Sequence, residues 1–254
     1  MIHQTAVIDP EAQLGRDVTV GPFAIVEKET VIGDGCILEA RSHVKRWTSL
    51  GSGNRLCEGA ILGGTPQHLG YKGEETWLRI GDNNYFGEYC TIHRGSTITG
   101  KTVVGSDNYF MGYTHAGHDC RIGNRCVMTA YSGLAGHTIL EDRVIMGAYA
   151  GTHQFVRIGT MCMAGAGSLI GMDLVPYMIY QGYPAKPMSV NLVGLRRNDV
   201  PEPTRNLIRR VFRILFRSDR PLAEKIEQVR ALGDVPEVRR VIEFIEKSER
   251  GIAS

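Results

Sequence analysis

The sequence lacks the marks of several large classes of protein. No apolar run approaches the roughly 20 residues of a membrane-spanning helix, and residues 1–11 carry neither the basic nor the apolar part of a secretory signal. The six cysteines form no CxxC pair, which argues against a disulfide framework or a zinc site. A net charge of only +2 gives no overall basic field for nucleic acid. We therefore expect a cytoplasmic globular protein that neither spans a membrane nor binds nucleic acid.

A repeat of six residues is the strongest signal that the sequence does contain. Stepping by six from Ile8 to Ile170 gives 28 positions, of which 23 hold a large apolar residue, Ile98 among them. The exceptions are His68, Glu74, Ala116, Thr152 and Ala164. A helix repeats every 3.6 residues and a strand every two, so a period of six fits neither. It predicts a mainly β fold, a parallel β-helix with three hexapeptides to a coil and about nine coils.

Two other phases of the repeat carry small residues. Glycine often follows the repeated aliphatic residue, as at Gly15, Gly33 and Gly147, and we expect these glycines to adopt a positive φ in tight turns. Five cysteines stand two residues before the aliphatic position, namely Cys36, Cys90, Cys120, Cys126 and Cys162. Because a free cysteine packs like a small apolar residue, we expect these five in the core of a protein from a reducing compartment.

The repeat is interrupted twice and ends before the C-terminus. Polar stretches at 64–77 and 95–102 are expected to leave the coil as loops, and the repeat stops near Pro176. A turn-rich joint at 181–187 follows. Apolar residues at helical spacing then predict helices at 203–217, 220–232 and 236–250. The expected domains are a β-helix at 1–187 and a small helical domain at 188–254.

Histidines gather on one expected edge of the coil. Residues eighteen apart stack in an 18-residue coil, which places His118, Gly136 and Gln154 in one column and Asp119, His137 and Phe155 in the next. An imidazole suits proton abstraction from an alcohol at neutral pH. Asp119 would orient the ring of His118, and the Gly136 N–H would stabilise an oxyanion. The column therefore predicts acyl transfer with His118 as the general base.

Other interpretations of the same residues stay open. Each histidine taken singly is also compatible with a surface turn of a non-catalytic β-helical scaffold that binds partners, although their stacking beside Gly136 and Gln154 favours a function. Three histidines from neighbouring coils also suit a zinc site, as in the β-helical carbonic anhydrases. Binding of a small-molecule substrate in calorimetry separates an enzyme from a scaffold, and elemental analysis tests for zinc.

Arginines are concentrated after the joint. Seven lie between residues 191 and 217, against only two acidic residues, Asp199 and Glu202. They are Arg196, Arg197, Arg205, Arg209, Arg210, Arg213 and Arg217. The stretch is either a solvated helix face or a docking surface for an acidic partner or a phosphate group.

Several motifs together resemble a known family of enzymes. The hexapeptide pattern resembles that of the hexapeptide-repeat acyltransferases, whose β-helix is left-handed. The motifs THAGHDC, LAGH, HQF, TIHRG and NLVGLRR resemble those of the bacterial UDP-N-acetylglucosamine O-acyltransferases, the first enzymes of lipid A biosynthesis, over nearly the whole chain. The resemblance implies a homotrimer with active sites between adjacent prisms. It also implies transfer of an (R)-3-hydroxyacyl group from acyl carrier protein to the sugar 3-position, without metal or cofactor.

The resemblance also implies roles for individual residues. His118 is the general base and the Gly136 N–H the oxyanion donor. The site is lined by His115, His137, His153 and Gln154. The nucleotide contacts are His93, Asn191 and Arg197, and the arginine-rich region receives the acidic carrier protein.

The sequence departs from the family pattern at four positions. His68 and Gly70 stand where the family has an aspartate and a lysine that touch the glucosamine, so His68 is expected at the sugar. Val193 replaces a glutamate and Asn198 an arginine near the nucleotide. These changes leave N-acylation of a sugar with a 3-amino group as an alternative reaction.

The acyl groove is expected at a later coil. Small residues stand at Gly165, Ala166 and Gly167, in the coil that closes the acyl groove in the family. We therefore expect Gly165 and Ala166 to contact the acyl chain, which would be of intermediate to long length.

Overall fold

Twenty-five short strands follow the six-residue repeat in the computed structural model, which describes residues 1–254. They are β1 (Val7–Ile8), β2 (Gln13–Leu14), β3 (Thr19–Val20), β4 (Ile25–Val26), β5 (Val31–Ile32), β6 (Ile37–Leu38), β7 (His43–Val44), β8 (Thr48–Leu50), β9 (Arg55–Leu56), β10 (Ile61–Gly64), β11 (Trp77–Ile80), β12 (Tyr85–Phe86), β13 (Thr91–His93), β14 (Lys101–Val104), β15 (Tyr109–Phe110), β16 (His115–Ala116), β17 (Arg121–Ile122), β18 (Val127–Met128), β19 (Gly133–Leu134), β20 (Ile139–Leu140), β21 (Ile145–Met146), β22 (Gly151–Thr152), β23 (Arg157–Ile158), β24 (Met163–Ala164) and β25 (Leu169–Ile170). Each strand contains one position of the repeat. The predicted mainly β class is confirmed, with a little over eight coils rather than nine.

The strands form the three faces of a left-handed parallel β-helix. Every third strand belongs to the same parallel sheet: sheet 1 runs from β1 to β25, sheet 2 from β2 to β23, and sheet 3 from β3 to β24. Val127 pairs with Ile145, eighteen residues on, so equivalent residues of successive coils lie over one another. The repeated aliphatic residues point inward and form one continuous buried core.

Two excursions account for the breaks in the repeat. Leu62 pairs with Ile92, thirty residues away instead of eighteen, because residues 65–76 leave the coil. Ile92 pairs with Ala116, twenty-four residues away, because residues 95–100 also leave it. The prediction that Ile98 belongs to the inward row is therefore wrong: Ile98 lies in the second excursion and its side chain is 64% exposed.

The predicted reason for the recurrent glycines is also wrong for all of them except Gly63, which has a φ of 82°. Gly15, Gly33 and Gly147 do not have positive φ; the left-handed residues of the turns come two positions later and are mostly not glycine, as at Asp17 (φ 57°). The glycines are needed because coils stack closely. A Cβ at Gly33 would lie 2.5 Å from the backbone of Gly51, and one at Gly147 would lie 2.5 Å from the Ala166 nitrogen.

Small polar residues complete the core. All six cysteines are free and buried, including Cys57, as expected for the five in the inward phase.

Three buried asparagines form a ladder at the edge between sheets 2 and 3: the Asn84 amide donates to Asn54 Oδ1 and the Asn108 amide donates to Asn84 Oδ1, each at 2.9 Å. The ladder ties three coils together where the chain turns.

The C-terminal region contains a hairpin and four helices. The predicted joint at 181–187 links two antiparallel strands, β26 (Met178–Gln181) and β27 (Lys186–Val190), which extend sheet 3. The helices are α1 (Leu192–Arg197), α2 (Glu202–Phe216), α3 (Leu222–Arg230) and α4 (Pro236–Glu246). The sequence predicted the last three and missed α1. The expected domain boundary at 187/188 falls within β27. None of the four helices has the length and the apolar composition of a membrane-spanning segment.

Candidate active site

The predicted columns lie on the edge between sheets 1 and 2, which we call the histidine edge and define as residues 117–119, 135–137 and 153–155. Asp119, His137 and Phe155 all occupy the left-handed turn position, with φ of 62°, 60° and 66°. Because this position turns each side chain outward, the three stack along the prism: the rings of His137 and Phe155 are parallel at 4.5 Å. The eighteen-residue spacing therefore brings the expected residues together.

His118 and Asp119 form a buried pair. Nδ1 of His118 lies 2.7 Å from Oδ2 of Asp119, and the two side chains are only 7% and 0% exposed. An ionised carboxylate accepts hydrogen bonds and does not donate them, so the imidazole carries its proton on Nδ1. Nε2 therefore keeps a free lone pair, which is what a general base requires.

Asp119 is held from three directions. Its Oδ1 accepts hydrogen bonds from the Ser96 N–H at 2.9 Å and from the Thr99 hydroxyl, both in the 95–100 excursion. Its own N–H donates to Thr102 Oγ1 at 2.8 Å. Burial opposes ionisation, but the hydrogen bonds from Thr99, His118 and Ser96 outweigh it and hold the pKa of Asp119 below its ordinary value. The carboxylate is therefore charged at neutral pH.

Gly136 faces the His118 ring from the next coil. A Cβ at Gly136 would lie 2.8 Å from Nε2 of His118, so only glycine leaves room beside the imidazole. The Gly136 N–H donates to no acceptor in the chain. Gly117 keeps that amide open, because a Cβ there would lie 2.9 Å from the Gly136 nitrogen. The free lone pair of His118 and the free N–H of Gly136 thus belong to residues that lie against each other on successive coils.

Three further histidines surround the pair in an uncharged state. His137 Nε2 lies 3.5 Å from Oδ2 of Asp119, and the rings of His118 and His137 meet edge-on at 5.2 Å. Burial lowers the pKa of His137, of His93 and of His115, the last to about 4. At neutral pH these rings offer hydrogen bonds without adding positive charge.

The 65–76 loop brings His68 to the same place. Its ring meets that of His118 edge-on at 5.5 Å, although the two residues are fifty positions apart. The loop is fixed at its start by His93, whose Nδ1–H donates to the Thr65 carbonyl at 2.7 Å. The structure therefore places His68 against the ring of His118, and its contact with the acceptor sugar stays a prediction.

A shallow apolar cavity of about 350 Å³ opens from His153 along sheet 1. It is lined by Gly151, Leu169 and Tyr183. His153 and Gln154 are exposed at its edge, and the Gln154 carbonyl accepts a hydrogen bond from Arg250 at 3.0 Å. Gly165 and Ala166 lie elsewhere, at the turn between sheets 3 and 1. Within one chain, Gly165 and Ala166 lie at the edge of sheet 1 that is opposite the histidine edge. They do not reach the end of the cavity at His153.

The expected nucleotide contacts separate into two kinds. Asn191 is buried: its Oδ1 caps α1 by accepting from the Gly194 N–H at 2.9 Å, and its amide donates to the Met161 carbonyl at 2.9 Å. Both polar groups of this side chain are therefore already bonded. Arg197 and Val193 are exposed on α1, and Asn198 closes the helix through the Gly194 carbonyl.

One group of side chains approaches the arrangement of a metal site. Ligand atoms of His118, Asp119 and His137 lie within 4.8 Å of one another. The 2.7 Å separation of Nδ1 and Oδ2 is that of a hydrogen bond, whereas two ligands of a tetrahedral zinc ion stand roughly 3.3 Å apart. The donor set as arranged therefore fits a hydrogen-bonded pair better than a zinc ion.

Sequence reasoning missed the residues that cover the site. Ser96 and Thr99 hold Asp119, and Gly117 protects the Gly136 amide. Gly117 carried a usable signal, since it follows the repeated position in the coil beside Gly136. Ser96 and Thr99 carried none, because the excursion has no repeat from which their contacts could be read.

Comparison with known proteins gives a consistent result. Residues 173–253 match the family model described as UDP N-acetylglucosamine O-acyltransferase, domain 2. Acyl-[acyl-carrier-protein]–UDP-N-acetylglucosamine O-acyltransferases are similar over the whole chain. That of Thermodesulfovibrio yellowstonii is 39% identical over 253 residues, covering 99% of this chain and 98% of the relative. That of Alkalilimnicola ehrlichii is 40% identical over 254 residues, with the same coverage.

Solved structures agree. The UDP-N-acetylglucosamine acyltransferase of Bacteroides fragilis superposes with a TM-score of 0.98 at 34% identity, covering 100% of both chains. That of Francisella novicida gives 0.97 at 31% identity, covering 100% of this chain and 94% of the other. Identity above 30% over the full length, together with the shared coil, shows that this chain belongs to the acyl-[acyl-carrier-protein]–UDP-N-acetylglucosamine O-acyltransferase family.

Proposed function

We propose that this enzyme transfers an (R)-3-hydroxyacyl group from acyl carrier protein to the 3-hydroxyl of UDP-N-acetylglucosamine, the first step of lipid A biosynthesis. The observation that carries the proposal is the meeting of His118 Nε2 with the free Gly136 N–H in a chain of this family. One group accepts a proton and the other stabilises negative charge. Acyl transfer to an alcohol needs both at one point.

The geometry supports a two-step mechanism. Nε2 of His118 takes the proton of the sugar hydroxyl while its oxygen bonds to the thioester carbonyl carbon. The carbonyl oxygen becomes an oxyanion that accepts a hydrogen bond from the Gly136 N–H. The C–S bond then breaks, the carbonyl re-forms, and the departing thiolate receives the proton from His118. The charged Asp119 stabilises the imidazolium that exists between the two steps.

We propose that three copies of the chain assemble with their sites between them. Four tyrosines, Tyr89, Tyr113, Tyr131 and Tyr149, stack with ring separations of 5.2, 5.0 and 4.9 Å along the edge between sheets 3 and 1. Each is about half exposed. A continuous aromatic stripe of this kind is typical of a surface that another subunit covers. The site also needs a second wall, since the cavity beside His153 is open on one side.

The acyl carrier protein is assigned to the arginine face of α2. Arg209, Arg213 and Arg217 border a cavity of about 480 Å³ together with the apolar Leu192 and Phe212. Helix α2 buries Ile208 and Val211 on its other side, so the arginines remain on the surface. An acidic protein is attracted to such a face, and the attraction weakens as salt is added. We also place the enzyme in the cytoplasm, because all six of its cysteines remain free thiols.

Acyl transfer with two acceptors tests the proposal. Purified enzyme is incubated with (R)-3-hydroxyacyl carrier proteins of several chain lengths and with UDP-N-acetylglucosamine or its 3-amino analogue. Ester formation on the 3-hydroxy sugar supports the proposal. Faster amide formation on the 3-amino sugar would replace it with N-acylation, and no binding of either sugar in calorimetry would favour a scaffold. Preference for the shortest acyl chain would contradict the expected groove length.

A further inference from the structure

Arg94 is a buried cation without a carboxylate partner. Arg94 is only 4% exposed, and it directly follows His93, the last residue of β13. Its guanidinium packs over the Trp47 ring at 5.0 Å, and Nη1 donates to the Gly63 carbonyl at 2.8 Å. No Asp or Glu forms an ion pair with it, and its Nε has no hydrogen-bond partner. A charge is costly to bury in this way, so a function that uses its position is to be expected.

The second guanidinium nitrogen reaches the 65–76 loop. Nη2 of Arg94 donates to the Tyr71 hydroxyl oxygen at 3.1 Å, and that hydroxyl donates to the Glu74 carbonyl. The Tyr71 N–H in turn donates to the His68 carbonyl at 3.0 Å. A chain of hydrogen bonds therefore runs from the floor of the coil, through Tyr71, to the residue whose ring lies against His118.

The imidazole of His68 is oriented by the same turn. The Gly70 N–H donates to Nδ1 of His68 at 3.2 Å, which leaves Nε2 as the free nitrogen of this ring. His68 is otherwise exposed, and its ring meets the edge of His118. Its place above the base thus depends on the fold of the loop, and Arg94 is the buried group that holds the middle of that loop.

We propose that Arg94 is a positioning residue for acceptor binding: through Tyr71 it holds the 65–76 loop so that His68 contacts the acceptor sugar beside His118. The inference rests on the proposed function, since it assigns the acceptor to this loop. The His118–Asp119 pair is held separately by the 95–100 excursion. Loosening the loop therefore weakens acceptor binding and leaves the base in place.

Tyr71→Phe is the primary test, because it removes only the hydroxyl that Arg94 contacts and keeps the ring. We expect KM for UDP-N-acetylglucosamine to rise about ten-fold, with kcat and KM for the acyl carrier protein unchanged. Arg94→Lys keeps the charge but cannot span Gly63 and Tyr71, and it should give the same pattern. In the double variant the two effects should not add, since both substitutions break one contact.

Glu75→Gln is the matched control on the same loop. Glu75 bonds only the Trp77 indole N–H at 3.0 Å, away from Arg94, and its substitution should leave all three kinetic constants unchanged. Unchanged acceptor KM in Tyr71→Phe would overturn the inference, and so would equal losses with both substrates accompanied by a lowered Tm, which is the signature of a merely structural role. Absence of turnover in the unmodified enzyme would instead refute the proposed function.

Discussion

The edge between sheets 1 and 2, of which the histidine edge is one part, carries two different kinds of turn along its length. In the first coils the equivalent positions hold Glu29 and Arg46, which form an ion pair with both side chains 38% exposed. In the central coils they hold His118 and Asp119, which are buried. The backbone is the same in both places, including the left-handed turn residue at Glu29 and Asp119.

The difference arises from the two excursions. The 95–100 excursion covers Asp119, and His68 of the 65–76 loop lies against His118, whereas the Glu29–Arg46 pair remains partly exposed. An exposed ion pair contributes about 0–1 kcal/mol and is screened by salt. A buried pair is screened much less, so its charge can act on a reacting group. The coil thus provides the positions, and the excursions make one of them chemically useful.

Replacing the general base His118 should give the largest difference in activity between a substitution at the buried turn and one at an exposed turn. His118→Ala removes the proton acceptor and should lower kcat about 10²–10⁴-fold. Lys28→Ala, at the equivalent exposed turn near the N-terminus, is the control and should leave turnover unchanged. Steady-state kinetics and size-exclusion chromatography measure activity and assembly. Near-normal turnover in His118→Ala would show that another group accepts the proton.

Neutralising the covered carboxylate should have the next largest effect. Asp119→Asn keeps the shape but removes the charge that stabilises the imidazolium, and we expect kcat to fall about a hundred-fold. Thr99→Val removes one hydrogen bond that keeps Asp119 ionised and should cause a smaller loss of kcat. Equal activity of Thr99→Val and the unmodified enzyme would show that the covering excursion does not tune the pair.

The asparagine ladder, on the edge between sheets 2 and 3, tests whether burial of a turn residue by itself increases its contribution to stability. Asn84→Ala breaks the asparagine ladder. The buried backbone N–H of Asn108 loses its acceptor, and Asn54 Oδ1 keeps only the hydrogen bond from the backbone N–H of residue 84, which together should cost about 1–3 kcal/mol. Asn124→Ala removes exposed hydrogen bonds from the same kind of side chain and should change Tm little. Thermal unfolding compares the two, and similar melting temperatures would contradict a stabilising role for the ladder.

Acidification gives the smallest expected change. His115 has a pKa of about 4 in the folded chain, and burial also lowers the pKa of His93 and His137. Between pH 6.5 and about 4 the unfolded state binds more protons than the folded one, so stability falls as pH falls through this window. We expect Tm to drop by roughly 2–4 °C for each kcal/mol lost.

His115→Gln is the control for this effect, because it removes the titrating group. Its Tm should depend less steeply on pH over the same window. Asp119 affects stability at lower pH. Because its pKa is lowered in the folded chain, the ionised carboxylate stabilises the fold above the ordinary value of 3.8, and this stability is lost as the pH falls below that value. A slope that is unaltered in His115→Gln would assign the pH dependence to other groups.

Periodicity made the coil, its columns and the positions of the two excursions predictable, whereas the contacts that the excursions make were not. Stacking repeats every eighteen residues, so the meeting of His118 with Gly136 follows from counting. The contact of Thr99 with Asp119 depends on how six residues without a repeat fold back over a turn. The hairpin at β26 and β27 was missed because the QGYPAKP stretch looks like a turn and conceals the strands beside it.

Local motifs also concealed structural roles. Asn191 matches a nucleotide-contact position, which stays a prediction, and in the folded chain it caps α1, a role that the sequence analysis did not predict. The recurrent glycines looked like left-handed turn residues because their packing against the next coil is a tertiary effect. For the glycines the sequence pattern was real, and its cause lay in contacts between residues of neighbouring coils.

Both excursions lengthen the chain by a multiple of six residues, so the strand that follows each one re-enters the coil in its original phase. Residues 65–76 and 95–100 can therefore differ entirely in composition from the coil without displacing the alignment of His118, Gly136 and Gln154 that follows them in the chain.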